Sequence, residues 1–208
     1  MTKKYMVEKS INIIEKSKNA LQLLGEQITP AVADVVGLIY NCPGHVLVAG
    51  AGTSRAVAVR FAHLLACCGT PALPINAADA LHGGAGSIKK GDVIYIISKG
   101  GESREINRFA EIAKSRGAKI ISQTEKPQST LGKKSDAIFH IVAPSDVDPY
   151  GMIATGSSLV NSAAGNILCE LLLEKRGYTK EQFGATHPEG AVGKTLEQER
   201  VAENGEQN

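Results

Sequence analysis

Apolar residues recur along this chain with two different periods, and the changes between them outline the architecture. Over the first forty residues Met6, Ile11, Ile14, Leu21 and Leu24 keep helical spacing until Gly25, which is read as a break. Val32, Val35, Val36 and Ile39 resume the pattern in a second helix from about Thr29 to Tyr40, with Pro30 in the first-turn position that proline favours. From His45 onward the pattern alternates. Short runs apolar on both faces predict strands at Val46–Ala49, Ala72–Ile75, Val93–Ile97, Lys119–Ser122 and Ala137–Val142. Between and after them the spacing predicts helices at Ser54–Cys68, near Ala78–Leu81, at Glu102–Arg116, near Ser129–Lys134 and at Ser157–Arg176. Such alternation implies an α/β fold: a five-stranded parallel sheet covered on both faces, a doubly wound three-layer αβα sandwich. Residues 1–44 are expected as N-terminal helices packing on a domain at 45–196, and the polar stretch 197–208 as a disordered tail.

Composition narrows the class. A 208-residue chain with 43% hydrophobic residues can fill one core. A formal charge of +2, with dispersed basic residues, lacks the concentrated basic face of a nucleic-acid binder. The absence of Trp and a 4% aromatic content leave little for base stacking. Cys42, Cys67, Cys68 and Cys169 show no CxxC spacing, which fits a reduced cytoplasmic protein better than a disulfide framework. Adjacent Cys67 and Cys68 could bind metal or sense redox state, but small core residues are the favoured reading. No apolar run is long enough to span a membrane and the N-terminus does not resemble a signal core, so no membrane partner is expected.

The twenty-two glycines gather at strand ends, and two clusters carry chemistry. Gly50-Ala51-Gly52-Thr53-Ser54 and Ser98-Lys99-Gly100-Gly101-Glu102-Ser103 each join a strand to a helix. A strand-to-helix turn of that kind offers backbone N–H groups and the positive end of a helix dipole to an anion. The reading is a phosphate site in which serine hydroxyls and backbone amides bind oxygens and Lys99 adds a point charge. Other phosphate motifs fit poorly. A dinucleotide fingerprint would need glycine where Arg55 stands, and a P-loop ending at Gly193-Lys194-Thr195 would need it at Pro188. The acid–base candidates are Glu102, Glu105, Asp146, Asp148, His82 and His187. His187 stands out as a loop histidine, whereas His63 reads as a packed helix residue.

Taken together, Ala78-Asp79-Ala80-Leu81-His82-Gly83, Ile97 through Ser103, Gly151 with Thr155–Ser158, and His187-Pro188-Glu189-Gly190-Ala191-Val192-Gly193-Lys194 resemble the sugar isomerase (SIS) domain superfamily. Within it the pattern is most similar to the arabinose-5-phosphate isomerases, whose HPGGALG segment the last stretch resembles. The resemblance implies a flavodoxin-like sheet, a homo-oligomer (often a tetramer) with active sites near subunit interfaces, and a phosphorylated sugar as substrate. It further implies that Thr53, Ser54, Ser98, Lys99, Gly100 and Ser103 surround the sugar phosphate, and that His82 and Gly52 contact the sugar. Glu105 and His187 match active-site positions, and Asp146 falls where the family has glutamate. Glu105 and His187 would share proton transfer through a cis-enediol with Asp146 orienting or assisting, and no cofactor or metal is required.

Three departures accompany the likeness. Thr53 replaces a family lysine, and Gly52-Thr53-Ser54 instead resembles the turn in the isomerase domain of glucosamine-6-phosphate synthase. Gly100 replaces a serine. The chain as given has no counterpart of the family's paired C-terminal regulatory domains of cystathionine-β-synthase type. A phosphosugar sensor and a 6-phospho-3-hexuloisomerase are the competing expectations.

Overall fold

In the computed structural model, residues 1–205 are described. Helices α1 (Lys3–Gln27) and α2 (Ala31–Tyr40) lead into an alternating series: β1 (Val46–Gly50), α3 (Thr53–Cys67), β2 (Ala72–Pro74), α4 (Ala77–Ala80), β3 (Val93–Ile97), α5 (Arg104–Ser115), β4 (Lys119–Thr124), α6 (Thr130–Lys134), β5 (Ala137–His140) and α7 (Gly156–Arg176). Two further helices follow, α8 (Lys180–Thr186) and α9 (Gly190–Gly205). The sheet is five-stranded and parallel throughout, in the order β2-β1-β3-β4-β5. Pro74 ends β2, an edge strand, where a missing N–H is tolerated.

Every residue of β1 and β3 is buried, because helices cover both faces. One layer joins α2, α3 and α7 to Val46, Val48, Val93, Tyr95 and Ile97, and the other sets α5 against Leu47, Ala49, Ile94 and Ile96. Within the first layer Phe61 of α3 meets the Tyr95 ring edge-on at 4.9 Å between centroids. Gly165 lets α7 close on the same ring, since a Cβ there would come within 2.9 Å of Phe61.

Both ends of the chain depart from expectation. Gly25 does not break α1, which continues to Gln27. The roughly 1 kcal/mol that glycine costs a helix interior is offset by anchorage of the last turn: Leu24 is buried, and the Gln27 side chain accepts from Val142 N–H and donates to Val142 O. Strand β5 stops at His140, the register partner of Thr124, which is the last residue of β4. Packing of α1 is confined to its C-terminal half. Tyr5, Met6, Val7, Ile11, Ile13 and Ile14 remain exposed, so the helix does not lie along the domain over its whole length. Residues 197–205, expected as part of a disordered tail, belong to α9, where Glu197 pairs with Arg200 and Glu199 with Lys180 of α8. The rest of that expected tail, residues 206–208, lies outside the described residues. Among the described residues no single helix is long and apolar enough to cross a membrane.

Phe61→Ala is expected to lower unfolding stability by about 3–5 kcal/mol in chemical denaturation, because α3, α7 and Tyr95 all close on that ring.

Candidate functional site

The site follows from the strand order. Chain winding reverses between β1 and β3, so the helices after them leave on opposite faces and the carboxyl edge opens between them. Gly50 and Ile97, the last residues of the two strands, are register partners. The two glycine turns that follow are therefore neighbours at the opening.

Five helices start at this carboxyl edge, and they differ in who occupies their first amides. Asn76 caps α4 by accepting from Ala78 N–H, and Ser129 caps α6 by accepting from Gly132 N–H. The start of α7 is taken by Asp148, whose Oδ1 accepts from the N–H groups of Gly156 at 3.0 Å and Ser157 at 2.9 Å. By contrast α3 starts after Gly52 and α5 after Ser103, and neither has a side-chain cap. Their first-turn N–H groups face the opening with no side chain across them. Gly52 has φ +56° with open space where a Cβ would stand, so its backbone is bare toward a ligand. At the other end of that turn, a Cβ on Gly50 would come within 2.7 Å of the Ser54 backbone, and glycine there lets α3 start close to the strand. Thr53 and Ser103 are exposed, Ser54 is half-buried and Ser98 is buried.

The rest of the turn is fixed from behind. Ser98 N–H donates to Gln123 O, and Lys99 O accepts from Glu125 N–H and from the Thr124 hydroxyl. Gly101, at φ +66°, lies where a Cβ would collide with the Ser129 side chain. Gly100, by contrast, has nothing within 4 Å of its Cβ position. Lys99 Nζ lies 3.8 Å from both Glu125 Oε1 and Asp148 Oδ2, so the expected point charge is already shared between two carboxylates. In the sequence Asp148 is only one of several candidate acids. In the fold it is buried, it holds the start of α7 and it faces the phosphate turn, a role signalled by no motif. Burial pushes its carboxyl up, but the hydroxyl and N–H of Ser157, Gly156 N–H and Lys99 outweigh this and hold it below the ordinary carboxylate range.

The remaining acids divide by task. Glu102 accepts from Thr130 N–H at 2.8 Å, and the Thr130 hydroxyl and N–H hold its carboxyl below the usual range, so it is a fastening of α6. Glu105, in the first turn of α5, is half-buried, and among the described residues no hydrogen bond or ion pair engages it. It lines a groove of about 530 Å³ together with Leu81, Arg104, Arg108 and Thr130. Leu81, half-buried, brings its exposed neighbour His82 to the same end of the fold. Asp146 sits in a 3₁₀ turn (Ser145–Val147) after β5 and is tied to α1, its carboxylate 3.4 Å from Lys16 Nζ and its carbonyl accepting from that ammonium at 3.0 Å.

His187 is placed elsewhere. It ends α8, stacks on Phe183 at 3.9 Å between centroids, and brings Nε2 to 3.5 Å from Cys67 Sγ. Cys67 is the last residue of α3, whereas Thr53 is its first. A helix of fifteen residues spans about 20 Å, so α3 separates His187 from the phosphate turn by that distance within one chain. The expected pairing of Glu105 with His187 is therefore not made inside a single copy. The cavity that His187 lines, about 470 Å³ between α8 and α9, does not include Glu105. A cavity of about 550 Å³ at the amino ends of β3, β4 and β5 contains none of the candidate residues either. Among the described residues no group of three or more His, Cys, Asp or Glu is arranged to hold a metal ion.

The chain is thus a doubly wound α/β domain with two helix starts left without a side-chain cap at its switch point. The chain belongs to the SIS domain family, whose model matches residues 38–168. It is similar to the arabinose 5-phosphate isomerase KdsD of Yersinia pestis, 32% identical over 184 residues that make up 88% of this chain and 56% of the relative. The Escherichia coli arabinose 5-phosphate isomerase KpsF is 32% identical over 92% of this chain and 59% of its own. The chain thus spans little more than half the length of these curated relatives. Among solved structures, a candidate sugar-phosphate isomerase of Listeria monocytogenes superposes with TM-score 0.87 at 32% identity, covering 91% of this chain and all of that one. An E. coli CFT073 protein in complex with arabinose 5-phosphate superposes with TM-score 0.85 at 27% identity, covering 90% of this chain and 100% of that one.

Asp148→Ala is expected to lower stability by about 1–3 kcal/mol at neutral pH by orphaning two buried N–H groups of α7. Because the folded pKa is lowered, Asp148's ionic contribution is complete above its unfolded value, near 3.9, and is lost as pH falls through the folded one. Denaturation curves from pH 6 down to about pH 2 should therefore show wild type and variant converging below about pH 4.

Proposed function

We propose that this chain is an aldose–ketose isomerase acting on a phosphorylated sugar of arabinose-5-phosphate type. One observation carries the reading: two uncapped helix starts lie side by side at the switch point, with an unengaged, half-buried Glu105 in the first turn of the second helix. The likeness to arabinose 5-phosphate isomerases and to a structure in complex with that sugar phosphate supports a phosphosugar in that opening. The amides of α3 and α5, with the hydroxyls of Thr53, Ser54, Ser98 and Ser103, bind the phosphate. A sugar anchored there extends toward Glu105 and His82. The reaction opens the ring and moves a proton between C1 and C2 through a cis-enediol, while an acid serves the two oxygens. Hydrogen-bond donors stabilise the enediolate, so the mechanism calls for no cofactor or metal.

Glu105 and His187 share the proton transfers, and each active site takes its His187 from another copy of the chain. The 20 Å span of α3 supports this division, since one copy cannot bring both groups to one sugar. The exposed apolar residues on the N-terminal half of α1 support self-association, in a homotetramer on the family pattern. Asp146, held by Lys16, assists from the loop after β5. Four free thiols among the described residues fit a reducing, cytoplasmic setting.

NMR of phosphopentoses and phosphohexoses in deuterated water reports binding and C2 proton exchange together. Turnover of at least one sugar is expected, and binding of several without exchange would instead establish the sensor reading. Glu105→Gln and His187→Ala should each lower kcat by about a hundredfold or more. Mixing these two inactive variants and letting subunits exchange should restore part of the activity. No restoration in a mixed oligomer that has formed would defeat the shared site.

A further inference from the structure

The amino-edge cluster beneath His187 has a geometry of its own. Cys67 Sγ, half-buried at the end of α3, lies 3.5 Å from His187 Nε2 and 3.6 Å from His63 Nε2. His63 stands four residues earlier on α3, on the same helix face, and is exposed, contrary to its expected packed role. His187 Nδ1 lies 3.0 Å from Phe183 O and 3.1 Å from the Thr186 hydroxyl, which itself donates to Phe183 O. With the hydroxyl proton on that carbonyl, both oxygens are acceptors toward Nδ1, and in the tautomer they favour the Nε2 lone pair faces the thiol. Stacking on Phe183 fixes the plane of the ring. Nucleophile, base and a third group orienting the base are all within reach, the arrangement that activates cysteine nucleophiles. The other thiols lack it. Burial pushes the thiols of Cys42, Cys68 and Cys169 up, away from the reactive thiolate form.

We infer that Cys67 is a nucleophilic modification site of this protein, served by His187 and His63, and that it reacts with small peroxides. The Cys67 proton passes to imidazole Nε2 and the sulfur attacks one peroxide oxygen. An S–O bond forms as the O–O bond breaks, and the departing oxygen takes the proton from the imidazolium to leave as water or an alcohol. Sulfur is oxidised by two electrons to sulfenic acid and the peroxide is reduced by two. The change removes the thiol against which His187 rests, and so links the oxidation state of Cys67 to the position of that ring.

The test needs no sugar turnover, so its outcome is independent of the isomerase reading. The intact protein is treated with limiting hydrogen peroxide in the presence of dimedone, and each cysteine is followed by peptide mass spectrometry. Cys67 is expected to be trapped at least about tenfold faster than Cys42, Cys68 or Cys169. His187→Gln should slow its trapping by about tenfold, and His63→Gln, a change on an exposed helix face, should slow it by a smaller factor. Circular dichroism of both variants should superpose on the wild type. Trapping of Cys67 no faster than of the other three thiols would overturn the proposal. So would rates within twofold of wild type in both histidine variants. If His187→Gln alters the fold, the His63→Gln rate decides.

Discussion

Everything at the carboxyl edge depends on one topological constraint, the reversal of winding between β1 and β3. Crossovers between parallel strands are right-handed, so a chain that moves outward from β1 to β2 and then returns to β3 must change faces. The apolar runs of both strands are buried on each side, which commits α3 to one layer and α5 to the other. No helix can then cover the gap between the ends of β1 and β3. The backbone amides left there are the first turns of α3 and α5, and the surrounding edge isolates them further because α4, α6 and α7 have their starts occupied by Asn76, Ser129 and Asp148. Burial of Val, Ile and Leu in two layers thus produces, as a by-product, a dipolar site for an anion.

The same topology explains why the candidate acid–base groups are divided. Elements that follow strands start at the carboxyl edge, and this gathers Ser98, Ser103, Glu105, His82 and Asp146 there. Helix α3 then carries the chain back to the amino edge, where Cys67 meets His187. Among the described residues helices α8 and α9 follow α7 with no strand between them, and they hold His187 at the amino edge, away from Glu105 of the same copy. The family match ends at residue 168, before this segment begins, so the phosphate turns and the His187 loop are separable in the chain as well as in space.

What is legible in the sequence follows from how local each feature is. All five strands and the two glycine turns can be read because apolar runs, glycines and hydroxyls sit consecutively in them. Gly25 misleads because its neighbours Leu24 and Gln27 gain partners from distant segments, and that gain outweighs the propensity of a single residue. Asp148 gives no motif because its task is defined by Gly156, Ser157 and Lys99, which only the fold brings together. His187 carries a clear local signal, but its position relative to Glu105 depends on the length and direction of α3. The joining of His63, Cys67 and His187 mixes a helical spacing of four with a contact across more than a hundred residues, and only the first half of that is local.

On the phosphosugar reading proposed above, the two turns would hold their ligand without the lysine of the resembled family. With Thr53 in place of the family lysine, the first turn offers hydroxyls and amides, which are uncharged donors. Lys99, the nearby ammonium of the second turn, is balanced by Glu125 and Asp148, each 3.8 Å away. A phosphate dianion arriving there would compete for that one cation with two carboxylates, one of them the buried Asp148. The competition leaves the helix dipoles and hydroxyls as the main attraction, favouring recognition by shape and hydrogen-bond direction over bulk charge. Such a site would discriminate poorly between phosphate esters by charge. On the proposed reading, selectivity would fall to the groove around Glu105 and Leu81 and to the nearby His82, where contacts would differ from one phosphosugar to the next.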